Sequence, residues 1–534
     1  MLVHSRYLVN SFHVTLRAPP EILSAICSYL TTEEDVFSAS QVCYHWRAVL
    51  ISSPSLWTRF PCRHVPRTIV SLERCKSMPI QLKFDPESSI VALENVLLSR
   101  AKITSLTIHH EGDQMLSPCR LFISPIPSVE RLHIYSRDTR GQEGEARRMS
   151  DILQDFLSLR ELFVCRFPAI GQFTAPNLIH FALEGTGEEQ DVTIRSVVDT
   201  LRACPLLETI LIILRCDDPE EVAPDLPPVS LPNLRSIELG SYEVTSELIT
   251  NLQFPPTVAV GFRSLGGYSV CGDNVPPAVI NSSRHVLGGM DVQTVILAVA
   301  APRSGEHFQA LIRFEGTHGS LEVTLRSWFM DEASIFCGRG VLFSLTPRLV
   351  NVKELQIAEC YIDPTVEVGH LVAVMPNLTS ICFFHCVWHE GNSVFRLIYP
   401  SDPHQSPPFP HLERLTVLGP GPGLTQVARR RKECGVPLKT VVIGPEPLPY
   451  TPEQIAELRE LVDDVRVEVP PGISEWSIGN RTLDMWSEAG IPGPVSATRG
   501  LISIGLTVFP QDTLISLRDA FRYCRFNVRE KLRG

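Results

Sequence analysis

The sequence contains no apolar run long enough to cross a membrane. Its longest apolar stretches, such as Ile210–Leu214, are far shorter than the roughly 20 residues that a membrane-spanning helix needs. Met1–Arg17 also lacks the unbroken apolar core of a signal peptide. These absences predict a protein without membrane association and with a cytoplasmic or nuclear location.

Concentrated positive charge is also missing. The formal net charge is −11, and the longest cationic run, Arg429–Lys432, is isolated and directly followed by Glu433. Proteins that bind nucleic acid usually carry a basic patch or stripe. The charge pattern therefore predicts no direct contact with nucleic acid.

Cysteine is scattered rather than arranged in a framework. The 15 cysteines are odd in number and not densely spaced, which fits reduced thiols in an intracellular protein better than a set of disulfides. Hydrophobic residues make up 44% of the 534 positions and charged residues 20%, as expected for a chain that folds around a large core. The length allows several domains, or one small domain followed by a repeat array.

The segment 18–60 begins with the pattern of a short helix. Pro19 and Pro20 suit an extended entry and a first helical turn, where Glu21 can interact with the positive end of the helix dipole. Apolar residues then recur at helical spacing. They are Ile22, Leu23, Ile26 and Leu30.

Two further helical patterns follow. The acidic residues 33–35 predict the first turn of a second helix. Trp46 lies in a third helix, which Pro54 ends before an extended stretch at Leu56 and Trp57. A domain of about 40 residues is too small to bury this many large apolar groups internally, so a partner surface is predicted.

The motifs of this segment resemble the F-box. The series P-P-E-I-L-S-x-I-x-x-Y-L, V-C-x-x-W-R and P-S-L-W is similar to the form common in large fungal F-box families. The resemblance implies binding to the adaptor Skp1, which links an F-box protein to a cullin and RING ligase core. The implied adaptor contacts are Pro19, Glu21, Ile22, Leu23, Ile26, Leu30, Val42, Cys43, Trp46 and Trp57.

Two positions depart from the F-box pattern. Ala18 stands where leucine usually precedes the proline, and Cys27 stands where a larger apolar residue is common. Both departures predict weaker adaptor binding. The alternative is that the segment is only a helical cap on the larger domain, although the W-R and P-S-L-W elements have no reason to accompany such a cap.

A second pattern, P-x-L-x-x-L-x-L, recurs beyond residue 100. Its last three apolar positions alternate as in a half-buried strand, and neighbouring copies are 19 to 34 residues apart, except for one gap of 118 residues. That gap is close to four repeat periods and predicts three degenerate units at 257–262, 292–299 and 321–325. The residues that mark the recognised units are Leu106, Leu132, Leu162, Phe181, Ile210, Ile237, Leu355, Ile381, Leu415 and Val441.

This array resembles an irregular leucine-rich-repeat solenoid, with helical patterns such as 192–204, 366–375 and 452–462 between or after the strands. The predicted fold class is α/β, a small three-helix F-box followed by a solenoid with a parallel sheet on its concave face. The predicted boundaries are 1–17 for a lead, 18–60 for the F-box, 61–100 for a linker or first capping segment, 101–470 for the solenoid and 471–534 for a tail whose order the sequence leaves open.

Strand alternation also predicts which side chains face a substrate. Because Leu132 and Ile134 point into the core, their neighbours along the strand point to the concave face, where solenoids commonly bind. The sequence leaves open whether the hydrophobic members form a docking patch or pack beneath loops. The predicted set is His133, Tyr135, Phe163, Leu211, Ile213, Glu238, Gln356, Phe384, Arg414 and Thr416.

The chain carries little that points to chemistry. Cys382, His385, Cys386 and His389 are spaced as in some zinc sites, but alternation places Cys382 and His385 on opposite faces of a strand. Gly419–Gly423 lacks the Lys-Ser/Thr pair of a phosphate loop. The sequence therefore predicts no enzyme activity, no metal and no cofactor.

The F-box resemblance implies a function for the whole chain. It implies a substrate-receptor subunit of an SCF-type (Skp1–cullin–F-box) ubiquitin ligase, which binds Skp1 through the F-box and an unidentified protein substrate through the solenoid. The alternative is a non-catalytic leucine-rich-repeat scaffold whose degenerate F-box no longer recruits the ligase.

Overall fold

The computed structural model of the protein describes residues 18–30, 33–85, 87–99, 102–110, 128–136, 153, 156–165, 173–184, 194–214, 227–240, 247–263, 277–300, 308–327, 345, 349–358, 374–384, 398, 407–418, 423–444 and 450–468. These residues divide into two compact units, unit 1 up to Cys165 and unit 2 from Phe173 onward. No helix among them is both long and apolar enough to span a membrane. The predicted lead 1–17 and tail 471–534 lie outside the described residues.

Unit 1 begins with helices and continues with alternating strands and helices. Its helices are α1 Pro20–Ser28, α2 Glu33–Ala39, α3 Tyr44–Ser52, the 3-10 helix Pro54–Trp57, α4 Val65–Cys75 and α5 Ile90–Leu98. Its strands are β1 Arg59–Pro61, β2 Ile80–Phe84, β3 Ile103–His110, β4 Arg131–Ser136 and β5 Glu161–Cys165. The three predicted N-terminal helices are confirmed. The extended stretch predicted at Leu56 and Trp57 is wrong, because Pro54 begins a 3-10 helix there.

The strands of unit 1 pair side by side in the order β1-β2-β3-β4-β5, and all pairs are parallel. Leu82, Leu106, Leu132 and Leu162 are direct partners across β2 to β5, and all four are buried. Equivalent leucines therefore stack in one row. The segment 61–100, predicted as a linker or first capping segment, contains β2, which pairs with β1 and β3. The segment therefore supplies a strand of the sheet.

Unit 2 is built mainly of short strands. They are β6 His180–Glu184, β7 Thr209–Ile213, β8 Val229–Ser230, β9 Ser236–Gly240, β10 Leu252–Gln253, β11 Ala259–Arg263, β12 Val292–Ala300, β13 Phe308–Gly316, β14 Ser320–Ser327, β15 Glu354–Ala358, β16 Ser380–Phe384, β17 Arg414–Leu418, β18 Thr440–Ile443 and β19 Asp464–Val467. The helices are α6 Ile194–Arg202, α7 Pro277–Leu287, α8 Leu424–Glu433 and α9 Pro452–Leu461. The helices predicted at 192–204 and 452–462 are confirmed, whereas most of 366–375 lies outside the described residues.

Most strands of unit 2 pair in the order β6-β7-β9-β11-β14-β13-β12-β15-β16-β17-β18-β19. Every pair is parallel except the two that β13 makes. The residues that mark the predicted units are direct partners, for example Phe181, Ile210 and Ile237. The prediction of a mixed α/β fold with a mostly parallel sheet is confirmed.

The middle of unit 2 departs from the predicted series of parallel units. Strands do form at or across 257–262, 292–299 and 321–325, but β14 rather than β12 pairs with β11. The unpredicted β13 runs antiparallel between β12 and β14. Its turn into β14 is closed by the Gly316 N–H, which donates to the Gly319 carbonyl at 2.9 Å. A Cβ on Gly319 would collide with the backbone carbonyl oxygen of Pro256, so the close approach of the segment before β11 to this turn requires glycine.

A recurring turn precedes the strands and explains the first leucine of the repeat pattern. In each copy the leucine N–H donates to the carbonyl three residues earlier, at 3.0 to 3.4 Å. The turn directs the leucine side chain inward, and each one is at most 2% exposed. These leucines are Leu178, Leu207, Leu234, Leu378 and Leu412.

Candidate functional site

The helical module, defined as residues 18–60, has its own apolar core. α1 contributes Leu23 and Cys27, one turn apart, and α3 contributes Trp46 and Leu50. Burial raises the pKa of the Cys27 thiol to about 11, so this thiol stays neutral and packs as a small apolar group. The core therefore uses one face of each helix.

Trp57 fastens the end of the module to α4. Its indole N–H donates to the Leu50 carbonyl at 2.8 Å, and its ring meets the edge of Phe37 at a centroid distance of 5.0 Å. The Arg74 guanidinium carbon lies 4.2 Å from the Trp57 ring centroid, where the charge is attracted to the ring face. Trp57 is thus a packing centre that holds hydrogen-bond, aromatic and cation–π contacts at once.

Two contacts hold α1 and α3 side by side and show that they run in the same direction. At their beginnings, His45 Nε2 lies 3.0 Å from the Ala18 carbonyl oxygen, to which it can donate. Further along both segments, at the middle of α1 and just after the end of α3, the Ser24 hydroxyl donates to the Ser53 hydroxyl at 3.2 Å. The two helices therefore form one paired surface element.

Both helices also carry a second apolar face that the module leaves uncovered. On α1 and its end, apolar residues recur at i, i+3, i+4 and i+7, and on α3 at i, i+4 and i+7, so each set follows one helix face. Tyr29 is 79% exposed and Tyr44 is 81% exposed. We call these sets the apolar stripes. They are Ile22, Ala25, Ile26 and Tyr29 on α1, and Tyr44, Ala48 and Ile51 on α3.

The residues implied as adaptor contacts divide between this surface and the core. Three are exposed, namely Pro19, Glu21 and Ile22. Four are half-buried, namely Ile26, Leu30, Val42 and Cys43. Three are buried, namely Leu23, Trp46 and Trp57. The buried side chains offer no surface to a partner and instead support the helices that carry the exposed ones. The predicted set does not include the other five residues of the apolar stripes, which the i, i+3, i+4, i+7 spacing from Ile22 and the i, i+4, i+7 spacing from Tyr44 would have found. They are Ala25, Tyr29, Tyr44, Ala48 and Ile51.

An ion pair follows the module in unit 1. Arg63 Nε and Nη2 both donate to Asp85 Oδ2, at 2.9 and 2.7 Å, and Ser88 donates to Oδ1 at 2.9 Å. Burial alone would raise the pKa of Asp85, but the hydrogen bonds from Arg63 and Ser88 outweigh it and lower the pKa. Arg63 also contacts the exposed Glu87 at 2.9 Å.

We expect Asp85→Asn to lower the free energy of unfolding near neutral pH by about 1–3 kcal/mol, because a buried charged hydrogen-bond network is broken. A folded-state pKa below the unfolded value contributes stability above the unfolded pKa and loses it as pH falls through the folded one. The wild-type advantage should therefore shrink below about pH 4. Urea unfolding at neutral and acid pH measures both effects. The control Glu87→Gln, at an exposed partner of the same Arg63, should change stability by no more than about 0.5 kcal/mol.

The side chains predicted to face a substrate in unit 1 form a compact aromatic group. His133 Nε2 lies 2.5 Å from Glu161 Oε1, with both side chains buried. Phe163 contacts Tyr135 and His133 at centroid distances of 5.1 and 6.0 Å, and Tyr135 stacks on His109 at 4.5 Å. The predicted exposure is wrong for His133 and Phe163, which are buried, while Tyr135 is half-buried. Side chains on adjacent strands lie about 5 Å apart and cover one another.

The predicted substrate face of unit 2 is also largely buried. Glu238 is covered by its ion pair with Arg263, and Ile213 occupies the space beside Gly240, where a Cβ would lie only 3.2 Å from the isoleucine. β7 has the sequence T-I-L-I-I, and such a nearly continuous apolar run is typical of a strand that is buried on both sheet faces. The predicted exposure is therefore wrong for the four buried residues Leu211, Ile213, Glu238 and Thr416. Two residues are half-buried, namely Gln356 and Phe384, and one is exposed, namely Arg414.

One cation of unit 2 is completely buried. Arg431 Nη1 donates to the carbonyls of Ile398 and Pro408 at 3.1 and 3.0 Å, and Nη2 donates to those of Phe409 and Leu412 at 3.0 and 3.3 Å. Burial lowers the pKa of Arg431 to about 10, so it stays protonated near neutral pH. Phe409 has a φ of 53°, an unfavourable conformation for a bulky residue, and the guanidinium holds the turn that contains it.

A metal site is not formed by the described part of the chain, in which no three His, Cys, Asp or Glu side chains are placed to share an ion. Of the zinc-like pattern, Cys382 lies buried in β16. His385, Cys386 and His389 lie outside the described residues.

Comparison with known proteins identifies the helical module. A family model described as F-box-like matches residues 18–63, which cover α1 to α3, the 3-10 helix and β1. No curated protein matches the chain. The chain therefore carries an F-box-like domain at residues 18–63, which supports its interpretation as an F-box protein with a role as a ubiquitin-ligase adaptor or in protein–protein interaction.

Proposed function

We propose that this protein is a non-catalytic substrate-receptor subunit of an SCF-type ubiquitin ligase. Its F-box-like domain binds Skp1 and through it the cullin and RING core, and the strands that follow present a protein substrate. The observation that carries the proposal is the pair of apolar stripes on α1 and α3, which lie inside the residues matched by the F-box-like model.

The apolar stripes support partner binding on physical grounds. Ile22, Tyr29 and Tyr44 are 53%, 79% and 81% exposed, although their neighbours on the same helices build a complete core. Large contiguous apolar surface on a folded protein marks an interaction site, and aromatic side chains such as tyrosine often dominate binding energy. A helical adaptor surface would bury both stripes together.

The two departures from the F-box pattern do not fall on the stripes. Cys27 is 1% exposed and packs inside the module, so its small size affects the core rather than the partner surface. Ala18 contributes through its backbone carbonyl, which lies within hydrogen-bond distance of His45. We therefore infer that the adaptor surface is retained.

The strand series is proposed to be an irregular leucine-rich-repeat solenoid. It binds the substrate on the sheet face opposite the one that carries the row of leucines. The support is the recurring leucine turn, the parallel pairing in register and the repeat spacing near a leucine-rich-repeat period. Of the predicted substrate contacts, those that keep accessible surface are the candidates. They are Tyr135, Gln356, Phe384 and Arg414.

Co-purification with Skp1 tests the proposal. We expect wild-type protein to retain Skp1 and cullin, and Ile22→Asp combined with Tyr44→Asp to lose at least about tenfold of the bound adaptor, because charges would be buried at the centre of the interface. The matched control is Ile69→Asp with Leu98→Asp, which changes residues of α4 and α5 that are 40% and 80% exposed.

Either of two results would contradict the proposal. Wild-type protein that fails to retain Skp1 would leave only the interaction-scaffold alternative. Equal loss in the stripe variant and the control variant would show that the apolar stripes are not the adaptor surface.

A further inference from the structure

A cavity of about 300 Å³ lies in unit 1 beside β1, β2 and β3, with α2 at its edge. Its lining includes four cationic side chains, Arg59, Arg63, Arg67 and Lys83, but only the two carboxylates Glu34 and Asp85. The chain as a whole carries a net charge of −11. A cation-rich cavity is therefore a local feature that composition does not explain.

Within the described residues, Arg63 is the cation of the cavity that forms salt bridges, and the charge of Asp85 also interacts with that of Lys83 without a salt bridge. Arg63 forms hydrogen-bonded ion pairs with Asp85 and with Glu87, and the charge of Glu34 also acts on Arg63. Neither Arg59 nor Lys83 has an ion-pair partner within the described residues, and Arg67 lies 5.6 Å from the ring centroid of Phe37. Three cations of the cavity thus remain without a salt bridge inside the described part of the protein.

Strand pairing places these cations next to neutral hydrogen-bond donors. Arg59 pairs in register with Gln81, and Gln81 with Ser105, while Lys83 pairs with Thr107. Alternation puts all five side chains on one sheet face. With adjacent strands about 4.8 Å apart and about 6.7 Å between alternate residues of a strand, the Cα atoms of Arg59 and Lys83 are about 8 Å apart.

We propose that this cavity is a binding site for a phosphoryl oxyanion, either free phosphate or a phosphate group carried on a protein side chain. Arg59 and Lys83 supply the charge from two sides, and the Ser105 and Thr107 hydroxyls and the Gln81 amide donate to the remaining oxygens. Charge-assisted hydrogen bonds of this type are the strong ones. The site is independent of the apolar stripes, since none of their residues lines the cavity.

Isothermal titration of the full chain with inorganic phosphate and with a short phosphoserine peptide tests the site. We expect Arg59→Gln combined with Lys83→Gln to weaken binding at least about tenfold, equivalent to about 1.4 kcal/mol, and added salt to weaken wild-type binding. The matched control is Lys102→Gln with Arg160→Gln, two exposed cations of unit 1 that do not line the cavity. The control should bind as the wild type does.

The outcomes separate the two sources of the anion. Equal affinity for both probes assigns free phosphate, and tighter binding of the peptide assigns a phosphorylated protein; both support the site. Failure of both probes to bind wild-type protein, or equal weakening in the site and control variants, overturns the proposal. Unfolding curves of the site variant should match wild type, because both replaced side chains are exposed, so that lost binding is not lost folding.

Discussion

Replacement of Arg431 by Met is expected to lower the free energy of unfolding of unit 2 by about 3–5 kcal/mol, because four hydrogen bonds to backbone carbonyls are lost at once. A methionine fills part of the volume but donates no hydrogen bond. The turn at Phe409, with its positive φ, would then keep its strain without the contacts that hold it. The loss should appear in urea unfolding and as faster hydrogen exchange at 407–418 and 423–434.

The neighbouring arginine supplies the control. Arg430 lies in the same helix, α8, but its side chain is 46% exposed and pairs with Glu433. Arg430→Met should change stability by no more than about 0.5 kcal/mol. Arg431→Lys should fall between the two, because one ammonium cannot reproduce a planar fork of donors. An Arg431→Met protein that exchanges hydrogen like wild type in both segments would show that the buried guanidinium does not hold the turn.

Replacement of Trp57 by Ala is the second large effect. Removing a buried tryptophan usually costs about 3–5 kcal/mol, and here the bond to the Leu50 carbonyl and the Arg74 contact are lost as well. We expect the helical module to unfold and adaptor binding to disappear with it. Hydrogen exchange at 20–57 and Skp1 co-purification measure the two consequences together.

Trp57→Phe separates the ring from its N–H group. Phenylalanine keeps the aromatic packing against Phe37 but donates no bond to Leu50, so a loss of about 1–2 kcal/mol is expected. The stripe variant Ile22→Asp with Tyr44→Asp should behave in the opposite way, with normal exchange and no adaptor. If Trp57→Ala keeps wild-type protection in α1 to α3, the assignment of Trp57 as the packing centre of the module is wrong.

The strands were predictable because the repeat pattern combines two local signals, the alternation of apolar residues along each strand and the leucine of the turn before it. Phe181 and Ile210, chosen as equivalent from sequence alone, are direct partners across β6 and β7, since the same turn before each strand brings both copies to the same register. The order of β12 to β14 could not be predicted by spacing. Alternating residues in β13 indicate a strand, but its direction depends on the turn at Gly319 and on which neighbours are already paired.

The module was predictable as a set of helices but not as a set of surfaces. α1 has apolar residues on most of its circumference, so periodicity alone did not decide whether Leu23 or Ile22 faces inward. Tertiary packing decides it, because the face that meets α3 holds Leu23 and Cys27. Burial of both sheet faces escaped prediction for a related reason, since alternation states which side a residue takes but not whether that side is covered.

The antiparallel segment β12 to β14 also determines the polarity of the whole strand series in unit 2. Because it contains three strands, an odd number, its first and last strands point the same way, and β11 and β15 both meet a parallel neighbour. An inserted pair of strands would reverse direction and leave the later repeats antiparallel to the earlier ones. Because β12 and β14 point the same way, either of them can pair in parallel with β11. β14 therefore lies beside β11 and β12 beside β15, and the repeats that follow keep their direction.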